Sequence, residues 1–228
     1  MLTTAAEEHL MDEHGHRLPT DTDDGMLLVI SGPSGVGKTT ITRSVERSIS
    51  DAIFSVSATT RPRTDLDVDG VDYQFMSEAD FKKRVDNDEF LEHAVYAGNH
   101  YGTLRRPVET QLARGRLVIL EIDVQGAIQI KKRMPDCFSI FILPPSEDVL
   151  LERLRARKRE SEETIKRRFD LARGEIEKAR ASGAYDQFIV NDNLDKAIEQ
   201  TLTVVRTQRA QRRRKGPAGG CCDGLCQQ

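Results

Sequence analysis

Tryptophan is missing from the 228 residues, aromatic residues amount to 5%, and no apolar run approaches the roughly 20 residues of a membrane-spanning helix. The N-terminal MLTTAAEEHLMDEH has neither the basic start nor the apolar core of a signal peptide, so the chain is expected to be cytoplasmic, with no membrane partner. Cysteine is scarce and badly placed for cross-linking. Cys137 has no partner in the body of the chain, which argues against a disulfide framework, and it reads as a small core hydrophobe. Cys221, Cys222 and Cys226 crowd the C-terminus at a spacing that matches no usual zinc pattern, and the two residues after Cys226 rule out a prenylation box. An excess of positive charge is also lacking: 34 Lys and Arg stand against 37 Asp and Glu, for a net charge of −3. That balance argues against general nucleic-acid binding and assigns local basic clusters to a small polyanion.

What the chain does have begins at Leu27, in LLVISGPSGVGKTT. The apolar run Met26 to Ile30 has the length and β-branched content of a buried parallel strand, and it leads directly into Gly32-Pro33-Ser34-Gly35-Val36-Gly37-Lys38-Thr39. Ile41, Val45 and Ile49 then recur every fourth residue, on one helical face. Strand, GxxxxGK[ST] and helix in that order form a phosphate loop, whose backbone NH groups and helix start cradle phosphate oxygens. Lys38 supplies a full charge, and the Thr39 hydroxyl, followed by Thr40, suits a magnesium ion accompanying a nucleoside triphosphate.

Residues 1–24 are polar, acidic and without period, and are expected to be a flexible extension in which His9, His14 and His16 are solvated. A short strand is expected over Ile53–Val56, then the basic segment Ser57 to Arg63, and a turn with an edge strand over Gly70–Phe75. Ser77 should cap a short helix reaching Val85, with Met76 stapled onto Phe81, before a strand over Phe90–Tyr96 turns into Tyr101-Gly102-Thr103. Pro107 suits a first helical position and Gly115 a helix end. The second buried strand, Leu117–Ile122, ends at Asp123. That residue either faces the ligand crevice at the carboxyl edge of the sheet or caps the helix running to Met134.

A third strand, Cys137–Leu143, stops at Pro144-Pro145, and Ser146 caps the next helix. Arg153, Arg155, Arg157, Lys158, Arg159, Lys166, Arg167 and Arg168 then follow within one helix, loop and helix start. Such a run is either a solvated charged face or an arginine-rich lid for phosphoryl transfer, and the phosphate loop favours the lid. Phe188–Val190 is a last strand, and Leu194, Ile198, Leu202 and Val205 mark a final amphipathic helix. The fold class is therefore α/β, a parallel sheet wrapped by helices with two inserts. One domain is expected over 25–210: core 25–56, 104–150 and 185–210, insertion 57–103, lid 151–184. A flexible tail is expected from 211 to 228.

In order and spacing, the motifs SGPSGVGKTT, SATTRPR, GVDYQF, EFLEHAVYAGNHYGT, ILEIDVQGA, ERLRARKRESEETIKRR and VNDNLDKA make the chain resemble the guanylate kinase family over Gly25 to Val205. The resemblance implies a P-loop NTPase-type enzyme passing the γ-phosphate of ATP to GMP, with magnesium. It implies that Ser57, Glu92, Thr103 and Asp123 surround guanine, while Arg61, Tyr73 and Tyr101 hold the GMP phosphate. Arg153, Arg157 and Arg168 match lid arginines at the ATP phosphates, and Asn191 matches a residue beside adenine. Thr64 stands where the family commonly has a second phosphate-binding arginine, with Arg63 one position early as its candidate substitute. Leu66 and Lys158 replace usual glycines. Two rival readings are a catalytically inactive binding module, which typically lacks an intact phosphate loop, and a kinase for another small acceptor, which needs no Glu92–Thr103 pair.

Overall fold

Met26–Ser31 forms strand β1, and every side chain in it is buried. In chain order there follow α1 (Lys38–Ser48), β2 (Ala52–Phe54), β3 (Ala58–Thr59), β4 (Gln74–Phe75), α2 (Glu78–Asp86), β5 (Phe90–Tyr96), β6 (Asn99–Leu104) and α3 (Arg105–Ala113). The second half contributes β7 (Leu117–Glu121), α4 (Val124–Arg133), β8 (Phe138–Leu143), α5 (Glu147–Arg155), α6 (Glu162–Ser182), β9 (Gln187–Val190) and α7 (Leu194–Lys215). The computed structural model describes residues 25–96, 98–156 and 161–215. Arg157, Lys158, the terminal cysteines and the N-terminal histidines lie outside the described residues.

A parallel sheet in the order β2-β7-β1-β8-β9 forms the centre. Its central strands β1, β7 and β8 are mostly apolar because helices cover both faces. Met26, Leu28 and Ile30 pack with Ile41 and Val45 of α1 and Ala197 and Val205 of α7. Leu27 and Val29 point the other way, onto Val108 of α3 and Ala127 and Ile130 of α4. Cys137 is buried at the start of β8, where its thiol is pushed up to about 11 by burial, in keeping with a core hydrophobe.

The insertion is a second, mostly antiparallel sheet, β4-β3-β6-β5, with β4 at its edge. Ser77 caps α2 by accepting from Asp80 N, and Met76 packs against the cluster of Ala58, Phe81 and Phe90. The α4 helix joins the two sheets: Gln129 Nε2 donates to His93 O at 2.8 Å and Gln129 Oε1 accepts from His93 N at 3.2 Å.

Several strands are shifted by a residue or two from expectation, as in β2, found at Ala52–Phe54 in place of Ile53–Val56, and three larger departures have a visible basis. The α3 helix begins at Arg105, so Pro107 is its third residue; the first-turn amide it lacks has no intrahelical acceptor in any case. The segment after Ser57 contains the short strand β3, which pairs with Gly102 and Tyr101. Finally, α7 runs to Lys215, past the expected tail boundary at 211. Arg209 pairs with Asp51, and Arg212 donates to Asp136 O, so these arginines bind the end of α7 to the body.

Candidate active site

The chain leaves the carboxyl ends of β1 and β7 towards opposite faces of the sheet, into α1 and α4 respectively. Neighbouring strands that diverge in this way open a crevice, where open α/β sheets bind ligands. Here it is a cavity of about 400 Å³, lined on one side by Gly32, Ser34, Gly35, Gly37, Lys38, Thr39 and Thr40. The facing wall carries Ser57, Tyr73, Glu92, Tyr101 and Asp123.

Gly37 caps α1 at φ 95°, and a Cβ there would lie 2.8 Å from Asn191 Nδ2. Glycine is therefore required twice over, for conformation and for room. Lys38 Nζ arches back to donate to Gly32 O at 2.6 Å and Pro33 O at 3.0 Å. Pro33 and Val36 shape the loop without lining the cavity. Asn191 is buried below them and donates from Nδ2 to Val36 O at 2.8 Å, while Arg153 Nη2 donates to Asn191 O at 2.9 Å. These two residues, expected at the adenine and the phosphates, thus brace the phosphate loop from beneath. Arg168, on α6, donates to Ser34 Oγ at the rim of the loop.

On the opposite wall, Glu92, Ala94 and Tyr96 alternate along β5 and so share one face. Glu92 is 4% exposed, and Thr103, its register partner on β6, donates to Glu92 Oε1 at 2.6 Å. Burial pushes the Glu92 carboxyl up to about 7, against the pull of the Thr103 hydroxyl, with the Asp123 charge adding to the rise. Thr103 therefore stands behind the wall, orienting the carboxylate. Asp123 does both things its position allowed: its side chain accepts from Gly126 N at 2.8 Å, capping α4, and it lines the cavity.

Tyr73 and Tyr101 meet edge to face at 5.7 Å, and the Arg61 guanidinium lies 5.2 Å from the Tyr73 ring centre. Neither Arg61 nor Arg63 reaches the cavity wall. Arg61 pairs with Asp67 at 2.8 Å, and Arg63 Nε donates to Asp67 O at 2.9 Å. The hydrogen bond from Arg61 holds the Asp67 carboxyl well below the usual carboxylate range, helped by Thr64, whose backbone N and hydroxyl both donate to it.

The structure adds residues that the motifs did not single out. Glu121 closes the end of β7, and its Oε1 accepts from the Thr39 hydroxyl at 2.7 Å. Its signal was available: an acidic residue ending an apolar strand, two positions before Asp123. Glu175 reaches the cavity from α6, and burial pushes its carboxyl up to about 7, with Lys38 opposing and Asp123 adding. In α6 the buried residues Ile165, Ala172 and Ala179 recur every seven residues, and Arg168 and Glu175 fall three positions after the first two of them. Two charges beside a seam of apolar and small residues were a readable sign.

A family model described as guanylate kinase matches residues 24–208, which includes both sheets and every residue of the cavity wall. The chain belongs to the guanylate kinase family. A guanylate kinase of Methylococcus capsulatus is 44% identical over 196 residues, 86% of this chain and 95% of that protein. One from Gloeobacter violaceus is 50% identical over 173 residues, 76% of this chain and 83% of that protein. The crystal structure of guanylate kinase from Anaplasma phagocytophilum aligns with a TM-score of 0.66 at 31% identity, covering 81% of this chain and 86% of that one. The P-loop NTPase-type fold expected of a guanylate kinase is thus present, and among the described residues no helix is long and apolar enough to cross a membrane. Thr64, at the position where the resemblance implies an arginine, donates to Asp67 from its backbone N and its hydroxyl, inside the loop that holds Arg61.

Proposed function

We propose that this chain transfers the γ-phosphoryl group of ATP to GMP, giving ADP and GDP, on free nucleotides in the cytoplasm. The observation that carries this reading is the facing of two unlike walls across one cavity: the phosphate loop with Lys38, and the buried Glu92–Thr103 pair. ATP phosphates lie along the backbone of residues 32–39, with Lys38 turning from the loop carbonyls onto phosphate oxygens. Guanine presents a ring NH and an exocyclic amine to Glu92, with Ser57, Thr103 and Asp123 completing its surroundings; Tyr73 and Tyr101 border the GMP phosphate, and Arg61 would reach it only by turning from Asp67.

The hydroxyl of Thr39 and the carboxylate of Glu121 are hard oxygen donors of the kind magnesium prefers, and they already meet at 2.7 Å beside the phosphate loop. The chemistry such an ion supplies when bound is charge neutralisation on the phosphate oxygens. The transfer itself joins a GMP phosphate oxygen to the γ-phosphorus as the bond to the bridging oxygen of ADP breaks. The protein's part is positioning and electrostatics: Lys38 and Arg168 lie at the loop where charge spreads in the transition state, and no side chain forms a covalent bond to phosphorus. Arg157 joins this set by family resemblance.

The test is a comparison of acceptors with ATP. AMP has an amine where guanine has a carbonyl and lacks the ring proton, so it would leave Glu92 buried and unmatched. Sites that pair polar groups in this way discriminate by about 10⁴ to 10⁵, so kcat/KM should favour GMP over AMP on that scale. Glu92→Gln should remove most of the preference while leaving the KM for ATP near its original value. Comparable kcat/KM for GMP and AMP in the unaltered protein would refute the proposal.

A further inference from the structure

Gly126 is the third residue of α4, a position at which most helices carry a side chain. Its backbone is helical, so no left-handed conformation calls for glycine there. Alanine would favour the helix by about 1 kcal/mol. The reason for glycine lies across the seam between the two sheets. A Cβ built on Gly126 would sit 2.5 Å from Glu92 Oε2 and 3.0 Å from its carboxyl carbon, while the next neighbour, Ile122 Cδ1, is at an ordinary 3.4 Å.

The carboxylate cannot simply swing aside. Its other oxygen accepts from the Thr103 hydroxyl at 2.6 Å, and the side chain is 4% exposed. Nor is the backbone behind it free to retreat from α4. Gln129, one turn after Gly126 on the same face, bonds both the N–H and the carbonyl of His93, the residue that follows Glu92. The Gly126 amide is engaged as well, donating to Asp123 Oδ1 at 2.8 Å. One turn of α4 therefore fixes both acidic groups that border the guanine site: Asp123 through a hydrogen bond, and Glu92 through the space left by a missing side chain.

We propose that Gly126 is a specificity-positioning residue: its lack of a side chain is what lets the Glu92 carboxylate stand against the first turn of α4, where it meets the guanine edge. This rests on the assignment of Glu92 to guanine recognition. Gly126 touches neither nucleotide in this scheme and acts only through Glu92.

Gly126→Ala separates this role from a merely structural one. It should raise the KM for GMP by about 10- to 100-fold and reduce the GMP-over-AMP preference by the same factor, as expected when a buried polar pairing is displaced. The KM for ATP should stay within about twofold, because the phosphate loop is untouched. Glu92→Asp withdraws the carboxylate by one methylene, so adding Gly126→Ala to it should change the KM for GMP by less than about twofold, the non-additivity of groups in direct contact. If the single variant does not fold, the double variant compared with Glu92→Asp alone carries the test: equal KM values support the proposal, and a further loss overturns it. An unchanged KM for GMP in Gly126→Ala overturns it too, as does a parallel rise in both KM values with a lowered melting temperature. Glu92→Gln distinguishes the layers. If that variant binds GMP normally, the guanine assignment itself fails; if it binds GMP poorly while Gly126→Ala binds it well, only the role of Gly126 fails.

Discussion

A carboxylate held at 4% exposure lowers its energy either by keeping a proton or by meeting donors, and Thr103 supplies Glu92 with its hydroxyl and with a backbone hydrogen bond. With its carboxyl pushed up by burial to about 7, against 4.5 for an ordinary glutamate, the group is shared between its two forms near neutrality. In the proposed complex guanine brings two further donors, which would favour the ionised form, so binding should expel the residual proton. GMP affinity should therefore climb as pH rises from about 6 and level off above about 8, and the proton released near pH 7 is measurable by calorimetry in two buffers of different ionisation heat. Glu92→Gln should abolish the release. The same shift acts on folding with a definite sign. A carboxyl whose native pKa lies above its unfolded value stabilises the fold in acid, and that contribution fades as pH rises from about 4.5 to 7. The melting temperature of Glu92→Gln should gain on that of the unaltered protein across that window.

Among the elements, α6 brings Arg168 to Ser34 and Glu175 to the cavity. An arginine contacting the transferring phosphoryl group is worth about 10³ to 10⁵ in rate, so Arg168→Ala should depress kcat on the lower end of that scale while the KM for GMP moves little. Steady-state kinetics with each substrate varied decides it, and an unaltered kcat would remove Arg168 from the transition state. Elements with a strong local signature are legible in the sequence alone. The strand, loop and helix from Met26 to Ser48 announce themselves by apolar run, glycine spacing and period, and the capped α2 by Ser77, Met76 and Phe81. The strand β3 was not legible, because two residues become a strand only by pairing with Gly102 and Tyr101, about forty positions away. Gly126 gave no sign either: its reason is Glu92, on another element. Thr64 and Arg63 showed a departure from the family pattern, but only the fold showed both fastened to Asp67.

At the scale of the molecule, α7 crosses the back of the sheet and fastens its own end. Arg209 donates from both terminal nitrogens to the Asp51 carboxylate, between α1 and β2. That hydrogen bond holds the Asp51 carboxyl below its usual range despite the opposing effect of partial burial. A depressed carboxylate stabilises the fold above its unfolded pKa and ceases to do so as pH falls through the native value. Asp51→Asn should therefore lower the melting temperature at pH 7, with the difference closing below about pH 4. Equal stability at pH 7 would show that the contact contributes nothing. The two ends of α6 are held differently. Its C-terminal part, through Ile176 and Ala179, is set in the cluster formed by Val124, Phe141 and Leu143, whereas its N-terminal part, through Ile165 and Ala172, packs on α5. A rod embedded at one end moves as a lever. Arg168 stands eight residues from Ile176, about 12 Å along the axis, so a tilt of about 10° at the embedded end would carry that arginine about 2 Å. Closing over a nucleotide would then need no unfolding of the helix, only a small rotation about a fulcrum that the core already provides.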